Sequence, residues 1–251
     1  MGKIIAVVNQ KGGVGKTTTA VNLTAALTEA GKRVLLCDFD PQANATSGLG
    51  LDKRHLRHSV YDVIINDVPA KDAIVQAKFG DVLPSTADLA GAGVELVAMD
   101  SPNYRLKNAL DTVKDRYDLI FIDCPPSLEL LTLNSLCAAD GIMVPVQCEY
   151  YALEGLTDLM NTLRMVKKRL NTRLEIFGVA LTMFDGRTNF ATQVAQEVRR
   201  HFPGKVYATV IPRNVRLAEA PSHGLPVSAY DKSSRGAQAY KAMAAEIIEK
   251  L

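Results

Sequence analysis

Asn9-Gln10-Lys11-Gly12-Gly13-Val14-Gly15-Lys16-Thr17-Thr18 constrains this chain more than any other stretch, because of what flanks it. Before it, Ile4 to Val8 is an apolar run that reads as a buried parallel strand. After it, Thr19 to Leu27 carries apolar residues at helical spacing, and Gly31 is placed to stop the helix. Strand, glycine-rich turn and helix together are the context of a phosphate-binding loop. Gly12, Gly13 and Gly15 are expected to adopt positive φ and to aim backbone N–H groups at an anion. The helix adds the partial positive charge of its N-terminus. Lys16 is then placed to reach the β- and γ-phosphates, and the Thr17 hydroxyl to ligate Mg²⁺. A nucleotide-binding protein is the first expectation.

The remaining pattern alternates strand and helix. Lys32–Asp38, Asp81–Pro84, Tyr117–Asp123, Gly141–Val146, Ile176–Thr182 and Val206–Ile211 read as strands. Helical periodicity marks Val60–Ile65, Leu89–Met99, Tyr104–Val113, Leu128–Ala138, residues 153–169, Asn189–His201 and Ser234–Lys250. Gln147–Tyr151 reads as a loop, and Pro212–Pro226 as a loop with at most one helical turn. Val- and Ile-rich strands without hairpin signals predict an α/β fold: a single doubly wound, mostly parallel sheet with helices on both faces. No linker, repeat or low-complexity segment divides it, so residues 1–251 are expected to form one domain.

Acidic residues fall where such a sheet gathers its ligands, at the carboxyl ends of strands. Asp123 ends an apolar strand and is expected near Thr17 and a metal, whereas Asp118, on the same strand, is expected at its solvated start. Asp38 and Asp40 lie close together beyond the second strand. Two such carboxylates repel unless a cation or hydrogen-bond donors offset them, which favours a site over chance. A loop cap is the plainer role for Asp38.

No apolar run approaches the ~18 residues of a membrane span. Met1-Gly2-Lys3 passes directly into strand with no secretory or transit pattern. Cys37, Cys124, Cys137 and Cys148 lack paired spacing and sit in apolar contexts, so buried reduced thiols and a cytoplasmic location are expected. The formal net charge is only +2. Residues 1–150 carry 14 Lys/Arg against 18 Asp/Glu, and residues 151–251 carry 15 against 9. A basic C-terminal portion suits a DNA-facing patch and equally suits solvated helix faces.

The Lys-Gly-Gly-Val-Gly-Lys-Thr-Thr form, with Gln10 at the usual first glycine position and an extra lysine at Lys11, resembles the deviant Walker A loop of the ParA/MinD family of P-loop ATPases. Asp38-Phe39-Asp40-Pro41-Gln42 is similar to that family's Walker A′ motif, and Asp123-Cys124-Pro125-Pro126 to its Walker B switch. The segments Gln42–Gly50, Pro145–Gly155 and Ile211–Gly224 extend the likeness over essentially the whole chain and resemble the short chromosomal ParA proteins.

The resemblance implies ATP and Mg²⁺ bound by Lys11, Gly12, Gly13, Val14, Gly15, Lys16, Thr17 and Thr18. Thr17 and Asp123 would serve the metal, with Asp38 reaching it through water. Asp40 is assigned to the attacking water, and Lys11 crosses a dimer interface to the neighbour's phosphates. Pro212 and Asn214 lie against adenine, where an amide suits the base edge. Arg187 and Arg216 match family positions that contact DNA. Lys167, Lys168, Arg199, Arg200, Lys205 and Arg235 are candidates by charge alone. The implied function is DNA partitioning: an ATP-dependent homodimer, nucleoid-associated in the cytoplasm, binds DNA without sequence preference and releases it after hydrolysis stimulated by a ParB-type partner. With strand one beginning at residue 4, no N-terminal helix-turn-helix is expected. The alternative is a MinD-like, membrane-associated cell-division-site ATPase, but Ala242–Leu251 lacks the basic, aromatic-bearing face of a membrane-surface helix. The cysteine spacing likewise argues against a cluster-bridged reductase.

Overall fold

Among the described residues six strands lie in the order β3-β2-β4-β1-β5-β6, and every pairing between them is parallel. They are β1 (Lys3–Val7), β2 (Val34–Asp38), β3 (Asp81–Leu83), β4 (Leu119–Asp123), β5 (Gly141–Gln147) and β6 (Glu175–Thr182). The computed structural model describes residues 2–127, 129–149 and 152–251, with the backbone alone for 152–154. Side chains alternate across the sheet as the period of a strand requires. Ile4 and Ala6 enter one core and Ile5 and Val7 the other.

One face is covered by α1 (Lys16–Glu29), with α2 (Asn44–Gly48) beside it. On the opposite face lie α3 (Val60–Ile65), α4 (Ala70–Ala73), α5 (Ala92–Val97), α6 (Arg105–Asp111), α7 (Leu130–Ala138), α8 (Ala152–Arg169) and α9 (Asn189–His201). The chain returns to the first face for α10 (Val215–Glu219), α11 (Val227–Tyr230) and α12 (Arg235–Ile248). Strands so buried on both faces explain the near-continuous apolar runs of the sequence.

Several expected boundaries move for local reasons. Leu89–Met99 is a 3₁₀ turn, Ala87–Ala90, and then α5, with Gly91 between them. Leu128 lies outside the described residues, as do Tyr150 and Tyr151 of the expected loop; α7 begins at Leu130. Pro212–Pro226 holds more helix than expected: α10 and a 3₁₀ turn over Ala220–His223.

The expected strand Val206–Ile211 is an interrupted edge. It meets the sheet at isolated bridges, Val206 with Val179 and Pro212 with Phe184. Between them the Glu246 carboxylate takes the Ala208 and Thr209 N–H groups at 2.9 and 2.7 Å, so those donors are satisfied by α12 rather than by β6.

Candidate nucleotide site

The loop between β1 and α1 turns through two left-handed glycines, Gly13 (φ 74°) and Gly15 (φ 92°). Gly12, expected to share that conformation, keeps negative φ; a Cβ there would meet only open space. Two hydrogen bonds from other strands hold the loop. Thr182 Oγ1, at the end of β6, donates to Val14 O at 2.8 Å. Asn9 donates through Nδ2 to Pro145 O at 2.8 Å and accepts Lys11 N at 3.0 Å.

Lys16 is buried and folds back over the loop, donating to Lys11 O at 3.2 Å. Burial lowers its pKa, opposed chiefly by the nearby Asp123 and also by Asp40. Thr17 is half-buried at the start of α1. Lys11 extends away from its own loop to Glu149 Oε2 at 3.3 Å, and Glu149 also accepts from Gln147 and lies 3.8 Å from Arg213.

The three acids come together as the sheet dictates. Asp38 and Asp123 end adjacent strands and are Cα partners in the β2–β4 register. Both are fully buried, and Asp40 nearly so. Burial raises the Asp38 pKa to about 6, restrained by the bonds it accepts from Thr46 and from Asp40 N. Burial and the Asp38 charge push Asp123 well up, while Thr17 and Lys16 pull it down. Neither Asp123 oxygen has a hydrogen-bond partner of normal geometry. A buried carboxylate without donors needs a cation or water to satisfy it. Mg²⁺ takes few protein ligands and fills its shell with phosphate oxygens and water. Thr17 with Asp123 is a donor set of that kind, and no three-acid metal cage exists among the described residues. Asp118, at the other end of β4, pairs with Arg33 at 2.7 Å, as its position at the strand's start predicts.

Pro212 and Asn214 reach the same end of the sheet through the Phe184–Pro212 bridge. Asn214 caps α10, accepting Arg216 N at 3.0 Å, so the acceptor half of its amide is already engaged. Arg187 and Arg216 flank that bridge in sequence, and both are held by acids. Arg187 forks onto Asp185, with contacts of 2.9 and 2.7 Å. Arg216 contacts Glu219 at 2.8 Å and Asp231 at 3.3 Å. Of the cations proposed by charge, Lys167 and Lys205 line one cavity of about 320 Å³ with Arg164, and Arg200 pairs with Glu197.

Glu149, Thr182, Thr46 and Ser85 carry bonds around this site that sequence reasoning did not assign. A signal exists for two of them: Thr182 ends β6 and Ser85 follows β3, both polar positions at carboxyl ends of strands. All four cysteines are buried and unbonded to one another.

A family model described as an AAA domain matches residues 2–176. The chain is 59% identical over 249 residues to the sporulation initiation inhibitor protein Soj of Bacillus subtilis, covering 98% of each chain. It is 49% identical over 252 residues to the chromosome partitioning protein ParA of Myxococcus xanthus, covering 100% of this chain and 89% of that one. Cobyrinic acid a,c-diamide synthase of Mycobacterium smegmatis, solved with bound ADP and magnesium, superposes with a TM-score of 0.86 at 39% identity, over 99% of this chain and 95% of that one. The cell division ATPase MinD of Pyrococcus furiosus superposes with a TM-score of 0.81 at 32% identity, over 100% and 99%. With that likeness along its whole length, and with the phosphate loop and paired strand-end acids described above, the chain belongs to the ParA/MinD family of ATPases, among the Soj/ParA chromosome-partitioning proteins.

Proposed function

We propose that this partitioning ATPase works as an ATP-dependent homodimer that holds DNA without reading its sequence and lets go after hydrolysis, with a ParB-type protein as the stimulating partner. The observation that carries the nucleotide half is the buried Lys16 facing the strand-end acids, one of which, Asp123, has no hydrogen-bond partner of normal geometry among the described residues. In this reading Gly12 to Thr18 cradle the phosphates, Lys16 meets the β- and γ-oxygens, and Thr17 with Asp123 holds Mg²⁺, which neutralises developing charge. The ADP and magnesium of the mycobacterial structure support that assignment. Asp40 orients the attacking water. Lys11, which lies on the surface side of its loop and reaches outward to Glu149, serves the neighbouring subunit's phosphates.

The DNA half draws on the names of the relatives and on the basic C-terminal portion. Arg187 and Arg216 exchange their carboxylate partners for DNA phosphates, and a dimer doubles the patch. No helix among the described residues is long and apolar enough to cross a membrane.

The test is co-sedimentation of the purified protein with DNA in ATP, in ADP and without nucleotide, at two salt concentrations. Binding only with ATP, weakening with salt, and lost in Arg187→Glu while ATP affinity is kept, is the expected result. ATP-dependent binding to anionic vesicles with none to DNA would overturn it in favour of the membrane-associated alternative.

A further inference from the structure

Asp40 is fixed from behind by a buried relay of hydroxyls. Its N–H donates to Asp38 Oδ1 at 3.3 Å. The other Asp38 oxygen accepts both Thr46 N and Thr46 Oγ1 at 2.7 Å. With its O–H directed at Asp38, Thr46 Oγ1 accepts Ser85 N at 3.0 Å. Ser85 Oγ then donates to Asp40 O at 2.9 Å, which closes the circuit. Asp38, Thr46 and Ser85 are fully buried, so each bond of the circuit lies in a low-dielectric interior where an unpaired member is costly.

The consequence is local. Both backbone polar groups of Asp40 are held: its N–H by Asp38 at the end of β2, and its carbonyl by Ser85 beyond β3 together with the local turn bond from Ala43 N at 2.9 Å. Gln42 N engages Asp40 Oδ1 at 2.9 Å, leaving Oδ2 without a protein donor among the described residues. A carboxylate set this way has one oxygen assigned to the protein and one to whatever comes into the site.

We propose that Thr46 and Ser85 are positioning residues for hydrolysis: their hydroxyls set the Asp40 backbone so that Oδ2 meets the attacking water. This rests on the reading of Asp40 as the water-orienting group. Neither hydroxyl lies in the phosphate loop. Their loss therefore changes turnover and leaves nucleotide affinity alone, and a misplacement of about 1 Å costs on the order of a hundredfold.

Thr46 allows packing and positioning to be separated. Thr46→Val keeps the volume and removes the hydroxyl, whereas Thr46→Ser keeps the hydroxyl and removes a methyl. With the full chain and saturating Mg-ATP, phosphate release gives kcat and KM, and titration with a fluorescent ATP analogue gives affinity. Thr46→Val and Ser85→Ala are expected to lose about tenfold to a hundredfold in kcat with KM and affinity unchanged, and Thr46→Ser to stay near the parent. If Thr46→Val does not fold, Ser85→Ala carries the test, since it removes a single oxygen. Parental kcat in Ser85→Ala or Thr46→Val, or an equal fall in Thr46→Ser, overturns the proposal while Asp40→Ala remains slow. Parental turnover in Asp40→Ala overturns the Asp40 reading itself.

Discussion

Asp38 does two things that pull in opposite directions. Its burial makes the charged form costly, whereas the three bonds it accepts, from Thr46 N, Thr46 Oγ1 and Asp40 N, favour that charge. Burial prevails, with the pKa at about 6. The sign of the linkage follows: between the ordinary carboxylate range and about 6, the folded chain keeps a proton that the unfolded chain has released. Stability therefore falls as pH rises through that window, and Asp123, pushed well up by burial and the Asp38 charge, adds to the fall. For the nucleotide-free, metal-free protein, urea melts between pH 4 and pH 7 should show this decline, and Asp38→Asn should flatten it by up to about 1.4 kcal/mol per pH unit. An equal slope in both proteins would place the proton elsewhere. At this scale the site was half legible. Lys16, Thr17 and Asp123 stand out because phosphate and metal chemistry demand their residue types at fixed offsets. Thr46 and Ser85 do not, because an ordinary hydroxyl acquires its role only when two strand ends meet.

The elements were legible wherever a strand or helix follows its own apolar pattern, and Val60–Ile65 and Asn189–His201 are found as expected. They were not where a partner from elsewhere replaces the ladder. Val206–Ile211 has strand composition, yet Glu246 on α12 takes two of its N–H groups, and no local pattern encodes that. The same segment is seated by a close approach: Tyr207 packs over Gly178 of β6, where an added Cβ would stand 2.4 to 2.6 Å from the ring. Gly178→Ala is accordingly expected to displace the edge segment and to cost about 1–3 kcal/mol, read as a lowered urea midpoint. An unchanged midpoint would mean that β6 shifts freely. Because Pro212 and Asn214 hang from this segment, ATP affinity should weaken in parallel.

For the whole molecule, the fold class and the order of its motifs were legible because parallel strands buried on both faces leave long apolar runs, and each ends in polar residues. The pairing of Lys11 with Glu149 was not, because it joins loops 138 residues apart. Both partners are partly exposed, so the pair is weak and exchangeable. In Lys11→Ala, ATP binding should persist while the ATP-dependent shift from monomer to dimer in sedimentation velocity disappears. A full dimer fraction in that variant would remove Lys11 from the interface. The hydrogen bond from Thr182 to Val14 spans 168 residues and ties the phosphate loop to a residue beyond the 2–176 family match. At translation rates of about 5–20 residues per second, Thr182 leaves the ribosome roughly ten to thirty seconds after Val14. Through that interval the nascent chain displays its whole phosphate-loop sequence without the clamp on Val14. The clamp on Val14 therefore forms only late in synthesis, when β6 joins the sheet.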